Sequence, residues 1–134
     1  MKLTIEQAQS AMTAAMVKAA AIDVPMSIVV IDASGRLKGF LRMDDALLGS
    51  IDIALRKANT SLLFGANSES VWDYCKPGGP APGLEHTNHV LVTFAGGVPL
   101  CNGDEVVGAV GVSGGAVSED AEVAAAAALA FGTT

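Results

Sequence analysis

Basic residues are scarce in this chain. Eight Lys and Arg stand against 14 Asp and Glu, a formal net charge of −6, and the eight are scattered at positions 2, 18, 36, 38, 42, 56, 57 and 76. Such a surface repels a phosphate backbone, so nucleic acid is excluded as the expected partner. Charge of either sign is thin at 16%, against roughly 25% in soluble globular proteins. Aromatic side chains are equally sparse: one Trp, one Tyr and four Phe. The two cysteines, Cys75 and Cys101, make no disulfide scaffold and read as free thiols of a cytoplasmic protein. Long apolar runs are missing too. The Ala-rich stretches are broken by acidic or polar residues, and the opening MKLTIEQAQSAMTAAM lacks an apolar core followed by a cleavage signal. Neither a membrane span nor an exported precursor is expected.

What is present is apolar surface: 51% of 134 residues are hydrophobic. That length suits a single domain over 1–134. The apolar excess predicts a homo-oligomer, with part of this surface buried between subunits.

The hydrophobic period changes along the chain. Ile5, Ala8, Met12, Ala15, Met16, Ala19 and Ile22 follow three-and-four spacing after Thr4, with Gln7 at the capping-box position, which predicts a first helix. Pro25 blocks its continuation. Then MSIVVIDASGRLKGFLRM predicts two strands joined at Asp32–Gly35. A second helix is expected from a Ser50 cap to about Phe64, ended by Gly65, and a short third in SESVWDYC. Between residues 77 and 83 three prolines and three glycines exclude a regular element and predict a long loop, of the kind that binds or covers something. VLVTFAG, GVPLCN and EVVGAVGVS follow as three strand candidates, and Ser118 is the expected cap of a last Ala-rich helix. The order α-β-β-α-α-β-β-β-α predicts an α+β fold with a five-stranded, mainly antiparallel sheet flanked by helices.

GVSGG at 111–115 spells G-x-S-x-G. A nucleophile elbow needs its histidine later in the chain, whereas His86 and His89 both precede Ser113, so serine hydrolysis is rejected. Neither the Walker spacing nor a dinucleotide fingerprint within a βαβ unit is present. The glycines are expected to let a strand approach another backbone closely. A lesser reading lets amides around Gly114 and Gly115 receive a carboxylate.

V-D-x-x-G, R-M-D, K-A-x-T, G-G-x-P and G-x-x-G-V-S-G-G occur in this order, within PMSIVVIDASGRLKGFLRMDDA, SIDIALRKANTSLLF, GGVPL and VVGAVGVSGGAVSEDAEVAAAA. Over nearly its whole length the chain thereby resembles the GlcG/HbpS family of haem-binding-like proteins, also found as the carboxy-terminal domain of some corrinoid adenosyltransferases. The resemblance implies a profilin-like five-stranded sheet between helices, and dimers or larger rings. Some relatives bind haem, and those of the adenosyltransferase type supply an axial histidine from the first helix. Residues 4–22 contain none. Met12 and Met16 are the softer substitutes, although methionines at helical spacing more often belong to a core.

Two groups of residues are candidates for a site. Arg42, Asp44 and Lys57 match the family's motifs and read either as structural ion pairs or as ligand-binding residues, with Arg42 or Lys57 the anchor for an acidic group. Glu85, His86 and His89, in LEHTNH, lie outside the matching motifs. They offer ligands for a divalent metal, or an acid/base pair beside a carboxylate. If this loop builds a site, one histidine is expected to border a concavity shared with Arg42 or Lys57. Two classes of function follow. One is a small-molecule binding protein for haem or another planar acidic ligand; the other is a small lyase or isomerase acting on an organic acid.

Overall fold

The structure is a computed structural model and describes residues 2–132. The first helix, α1 (Ile5–Ala21), begins with the expected capping box: Thr4 Oγ1 accepts from the Gln7 amide, and the Gln7 side chain accepts from the Thr4 amide. Strands β1 (Ser27–Asp32) and β2 (Leu37–Arg42) form the first hairpin. Asp32 Oδ1 accepts from the amides of Ser34 and Arg36 and from the Ser34 hydroxyl. These bonds, the Ser34 hydroxyl first, hold the Asp32 carboxyl below its usual range.

Helix α2 (Ser50–Phe64) starts one position earlier than a Ser50 cap requires. Gly49 is the cap residue and makes no side-chain bond. Ser50 Oγ instead donates to the Leu47 carbonyl and accepts from Ser27 Oγ at 2.8 Å, tying the helix to the start of β1. Helix α3 (Ser68–Cys75) follows, then a 3-10 turn at Leu84–His86 inside the long loop. Strands β3 (Gly97–Asn102) and β4 (Glu105–Ser113) form the second hairpin, and α4 (Val117–Gly132) closes the chain.

The α+β class holds, but among the described residues the sheet has four strands, in the order β2-β1-β4-β3, and not five. The expected fifth strand, VLVTFAG, leaves the sheet because its backbone groups are taken elsewhere. The Leu91 amide donates to the Glu85 carbonyl, the Phe94 carbonyl accepts from Ser68 Oγ, and only the Gly96 carbonyl reaches β4, through the Val112 amide. Of its large apolar side chains Leu91 is buried, while Val90 and Phe94 stay exposed.

Helices lie on both faces of the sheet, which is why β1 reads as a continuous apolar run. Ile28, Val30, Val110 and Val112 face the layer formed by α1 and α4, where Ala11, Ala15, Ala124 and Ala127 are all fully buried. Val29, Ile31 and Ala109 face Ala54 and Ala58 of α2. Gly111 shares that face, and a Cβ there would run into the Ala54 carbonyl and the Ala58 amide. The absence of a side chain thus sets how closely α2 approaches the sheet. On edge strand β2, Leu37 and Phe40 stay exposed.

Candidate functional site

One end of the sheet collects the start of β1, the ends of β2 and β4 and the start of β3, since Ser27 pairs with both Arg42 and Ser113 while Gly97 pairs with Gly111. Lys57 rises into this end from α2. Its side chain is fully buried, and Nζ donates to Asp120 Oδ2 at 2.8 Å and to the Val112 carbonyl at 3.0 Å. The Phe94 ring lies with its centroid 5.0 Å from Nζ, a cation–π distance. Burial pushes the Lys57 ammonium below its usual range, with Asp120 opposing the shift.

Asp120 also organises the start of α4. Its Oδ1 accepts from the Gly115 amide at 3.0 Å, and Glu119 Oε1 accepts from the Ala116 amide at 2.8 Å. The helix is therefore capped by carboxylates from its own first turn. Ser118, the expected cap, lies inside a helix that already begins at Val117. The amides at 115 and 116 thus already have acceptors within the chain. Gly114 fits against the Pro25 carbonyl and Met26, where a Cβ would collide.

Above Lys57 a cleft of about 400 Å³ is lined by Glu69, Trp72, Thr93, Phe94, Ala95 and Val117. Its walls are mostly apolar, and Trp72 and Phe94 stand 44% and 45% exposed, leaving their rings available for contact. Ser68 fixes one wall: its hydroxyl donates to the Phe94 carbonyl at 2.7 Å and accepts from the Gly97 amide at 2.9 Å.

The long loop lies elsewhere, beside α2. His86 ends the 3-10 turn and is exposed, as is His89, while Glu85 Oε1 is enclosed without a hydrogen-bond partner. Asn88, His89 and Val90 have φ of 53°, 60° and 74°, three successive non-glycine residues in the left-handed region, one of them β-branched. Such residues cost on the order of 1–3 kcal/mol each. Arg56 holds this turn: its Nη1 donates to the carbonyls of His89 and Val90, and its Nε to Asp52 Oδ2 at 2.7 Å. A second concavity of about 400 Å³ results, bordered by His89, Arg56, Asp52, Asn59, Leu55 and Leu91 among others.

The sequence candidates are thus distributed over two places. Lys57, Gly114 and Gly115 gather around Asp120 at the sheet end, where Arg42 closes β2; Arg42 and Asp44 are both exposed. His89 shares its concavity with Arg56, in the position expected for Arg42 or Lys57. Among the described residues no three His, Cys, Asp or Glu side chains stand together as a metal site. Sequence reasoning missed Asp120 as the partner of Lys57, because 63 residues separate them. It also missed Arg56, for which the four-residue spacing from Asp52 on a helix was a readable signal.

A family model described as haem degrading protein HbpS-like matches residues 3–129. A 15.0 kDa protein from the dhaT-dhaS intergenic region of Citrobacter freundii is 39% identical over 119 residues, covering 88% of this chain and 84% of that protein. Among solved structures, the Klebsiella pneumoniae protein ORFY superposes with a TM-score of 0.95 at 34% identity, covering 98% of this chain and 92% of that one. The PduOC:haem complex superposes with a TM-score of 0.93 at 33% identity, covering 97% and 95%.

Proposed function

From the premise that this chain belongs to the HbpS-like family, we propose that it is a small-molecule binding protein whose ligand is a flat, largely apolar molecule of the porphyrin class. The observation that carries this reading is the cleft faced by the half-exposed rings of Trp72 and Phe94. Its volume falls in the range of ligand pockets, roughly 300–1,000 Å³, and two aromatic rings with Val117 between apolar walls suit a planar macrocycle.

The cleft fits the macrocycle better than it fits iron. None of the residues lining it is His, Cys, Met or Tyr, the usual axial ligands. Helix α1 carries no histidine. Met12 fills the space over Gly39, where a Cβ would strike its thioether, and Met16 projects from α1 as an exposed residue. Haem would therefore be held by stacking, with no protein ligand from this cleft on its iron. Lys57 lies beneath Phe94 as the nearest buried cation, and acidic substituents of the ligand would extend toward solvent.

Trp72 is the chain's only tryptophan and lines the cleft, so its fluorescence gives a signal for porphyrin binding. Titrating haemin and metal-free protoporphyrin IX should quench it with affinities within about threefold of each other. Phe94→Ala should weaken both by at least about tenfold, near 1.4 kcal/mol. Saturable haemin binding at least about tenfold tighter than the metal-free ring would show an iron ligand that this site lacks, and would overturn the reading.

We further propose a cytoplasmic homo-oligomer. Two unpaired thiols, Cys75 buried and Cys101 exposed, suit a reducing compartment. Exposed Leu37 and Phe40 on the edge strand, with Leu47, Leu48 and Ile51 before and at the start of α2, supply apolar surface for subunit contact. Light scattering at micromolar concentration should give at least twice the chain mass, and a strictly monomeric mass would remove this proposal.

A further inference from the structure

The concavity beside α2 is separate from the aromatic cleft and shares no lining residue with it. Its chemistry is also different. Leu55, Leu63 and Leu91 give it an apolar side, with Leu91 buried and Leu63 left 53% exposed at the rim. Arg56, Asn59 and His89 supply the polar groups. A few convergent polar groups over an apolar wall are the usual composition of a small-ligand site.

Arg56 is fixed before any ligand arrives. Its Nε is taken by Asp52, and its Nη1 by the two carbonyls of the left-handed turn. Among the described residues its Nη2 has no protein acceptor, so the outer N–H groups of a positioned guanidinium remain available. Little further side-chain freedom is lost when such a group binds an anion. Among the described residues, the turn it holds is the one place where three consecutive side-chain-bearing residues take positive φ. Backbone strain of this kind concentrates at ligand clamps. Here it sets His89 at the edge of the same concavity and Val90, 52% exposed, beside it.

We propose that this concavity binds a small monocarboxylate with an aliphatic tail: the acid is received by Arg56 Nη2 and the His89 ring N–H, and the tail lies along Leu55, Leu63 and Leu91. A single negative charge is favoured over a phosphate dianion because Asp52 already shares the guanidinium at 2.7 Å, and a second charge would meet that carboxylate. Asp52 is itself 66% exposed, so water screens its repulsion of a monoanion.

Hexanoate is the probe. Titrated into the full chain, it should shift the backbone amide signals of residues 88–91 and the Arg56 Nε–H signal in saturable fashion, at a concentration on the order of 1 mM. Hexanol, which has the tail without the acid, should bind at least about tenfold more weakly. Arg56→Gln should weaken hexanoate by a similar factor, but it also removes the clasp on the turn. Leu63→Glu, at an exposed position, therefore provides the second variant: it should weaken hexanoate at least about tenfold while leaving the turn's signals in place. Trp72→Ala should leave hexanoate binding unchanged, which separates this site from the aromatic cleft. Shifts that rise linearly without saturation, equal binding of hexanol, or full affinity in Leu63→Glu would each overturn the proposal.

Discussion

Gly97 and Gly111 stand where any side chain would collide with backbone of α2, whereas Asn88, His89 and Val90 carry side chains where the backbone would be at ease with glycine. The first region is buried, and its tight contacts follow from packing a helix directly on a sheet. Removing the side chain there serves the fold. The second region is exposed, and hydrogen bonds from Arg56 and from the Val90 and Leu91 amides hold it, so side-chain packing does not require its conformation. Strain kept where the fold does not need it points to a site, and this difference separates the glycines, which are structural, from the loop, which presents side chains.

The sharpest way to break the comparison is at Asp120. If the sheet end is held by its buried pair, Asp120→Ala leaves the Lys57 ammonium enclosed without its counter-charge and should destabilise the protein by about 3–5 kcal/mol, read from urea unfolding. Lys57→Met combined with Asp120→Leu should recover most of that loss, since an apolar pair avoids the desolvation cost. The pH dependence has a defined sign. Burial lowers the Lys57 pKa below its ordinary 10.5, so between the folded and unfolded values the unfolded chain binds more protons. The contribution of Lys57 to stability therefore rises with pH through that window and levels off above about 10.5. Lys57→Met should flatten this rise. A loss under about 1 kcal/mol in Asp120→Ala would mean that the pair does not hold this end together.

A smaller effect is expected at the glycines themselves. Gly111→Ala drives a methyl onto the Ala54 carbonyl and the Ala58 amide, and α2 must lift from the sheet to admit it. Overpacking of this kind costs about 1–3 kcal/mol. Gly103 is the control. It lies in the β3–β4 turn at φ 63° with open space around its Cα, so Gly103→Ala costs only the left-handed penalty, about 1–2 kcal/mol. The two differ more clearly in their reach: Gly111→Ala should expose α2 amides to hydrogen exchange, and Gly103→Ala should not. Matching exchange profiles would remove the claim that Gly111 sets the helix-to-sheet distance.

Most of the fold was legible because local signals and burial agree. Thr4 and Gln7 form the box that their spacing announces, and the alternation of Ile28, Val29, Val30 and Ile31 between two helix layers is the reason for their unbroken apolar run. VLVTFAG misled because a short apolar run bounded by glycine reports strand propensity and not a strand partner; the Ser68 hydroxyl, 26 residues from Phe94, donates to the Phe94 carbonyl and accepts from the Gly97 amide that follows the run. At the site, Lys57 was readable as a paired lysine. Its partner was not, since an acidic residue in a helix's first turn already has a sufficient local reason to be there. Arg56 was passed over for the same kind of reason, as half of an ordinary i,i+4 pair whose other contacts come from residues 33 and 34 positions away.

The smallest expected effect tests the loop side of the comparison. Val90 is β-branched at φ 74° and 52% exposed, so it carries the left-handed penalty with little burial in return. Val90→Gly removes that penalty, about 1–2 kcal/mol, but also loosens the unfolded chain by roughly 0.5–1 kcal/mol. The terms oppose each other, and the first is larger, so urea unfolding should show a gain of about 0.5–1 kcal/mol. Asn88→Gly should gain less, because asparagine tolerates this region better than a β-branched residue does. The gain has a functional cost if the turn is a clamp: a glycine at 90 loosens the backbone whose carbonyls fix Arg56, and hexanoate affinity should fall by about threefold. A variant that gains stability and keeps full affinity would make the strain incidental. A variant that loses stability would mean that the Val90 side chain is held by contacts stronger than its exposure allows, and the contrast between the two regions would not survive it.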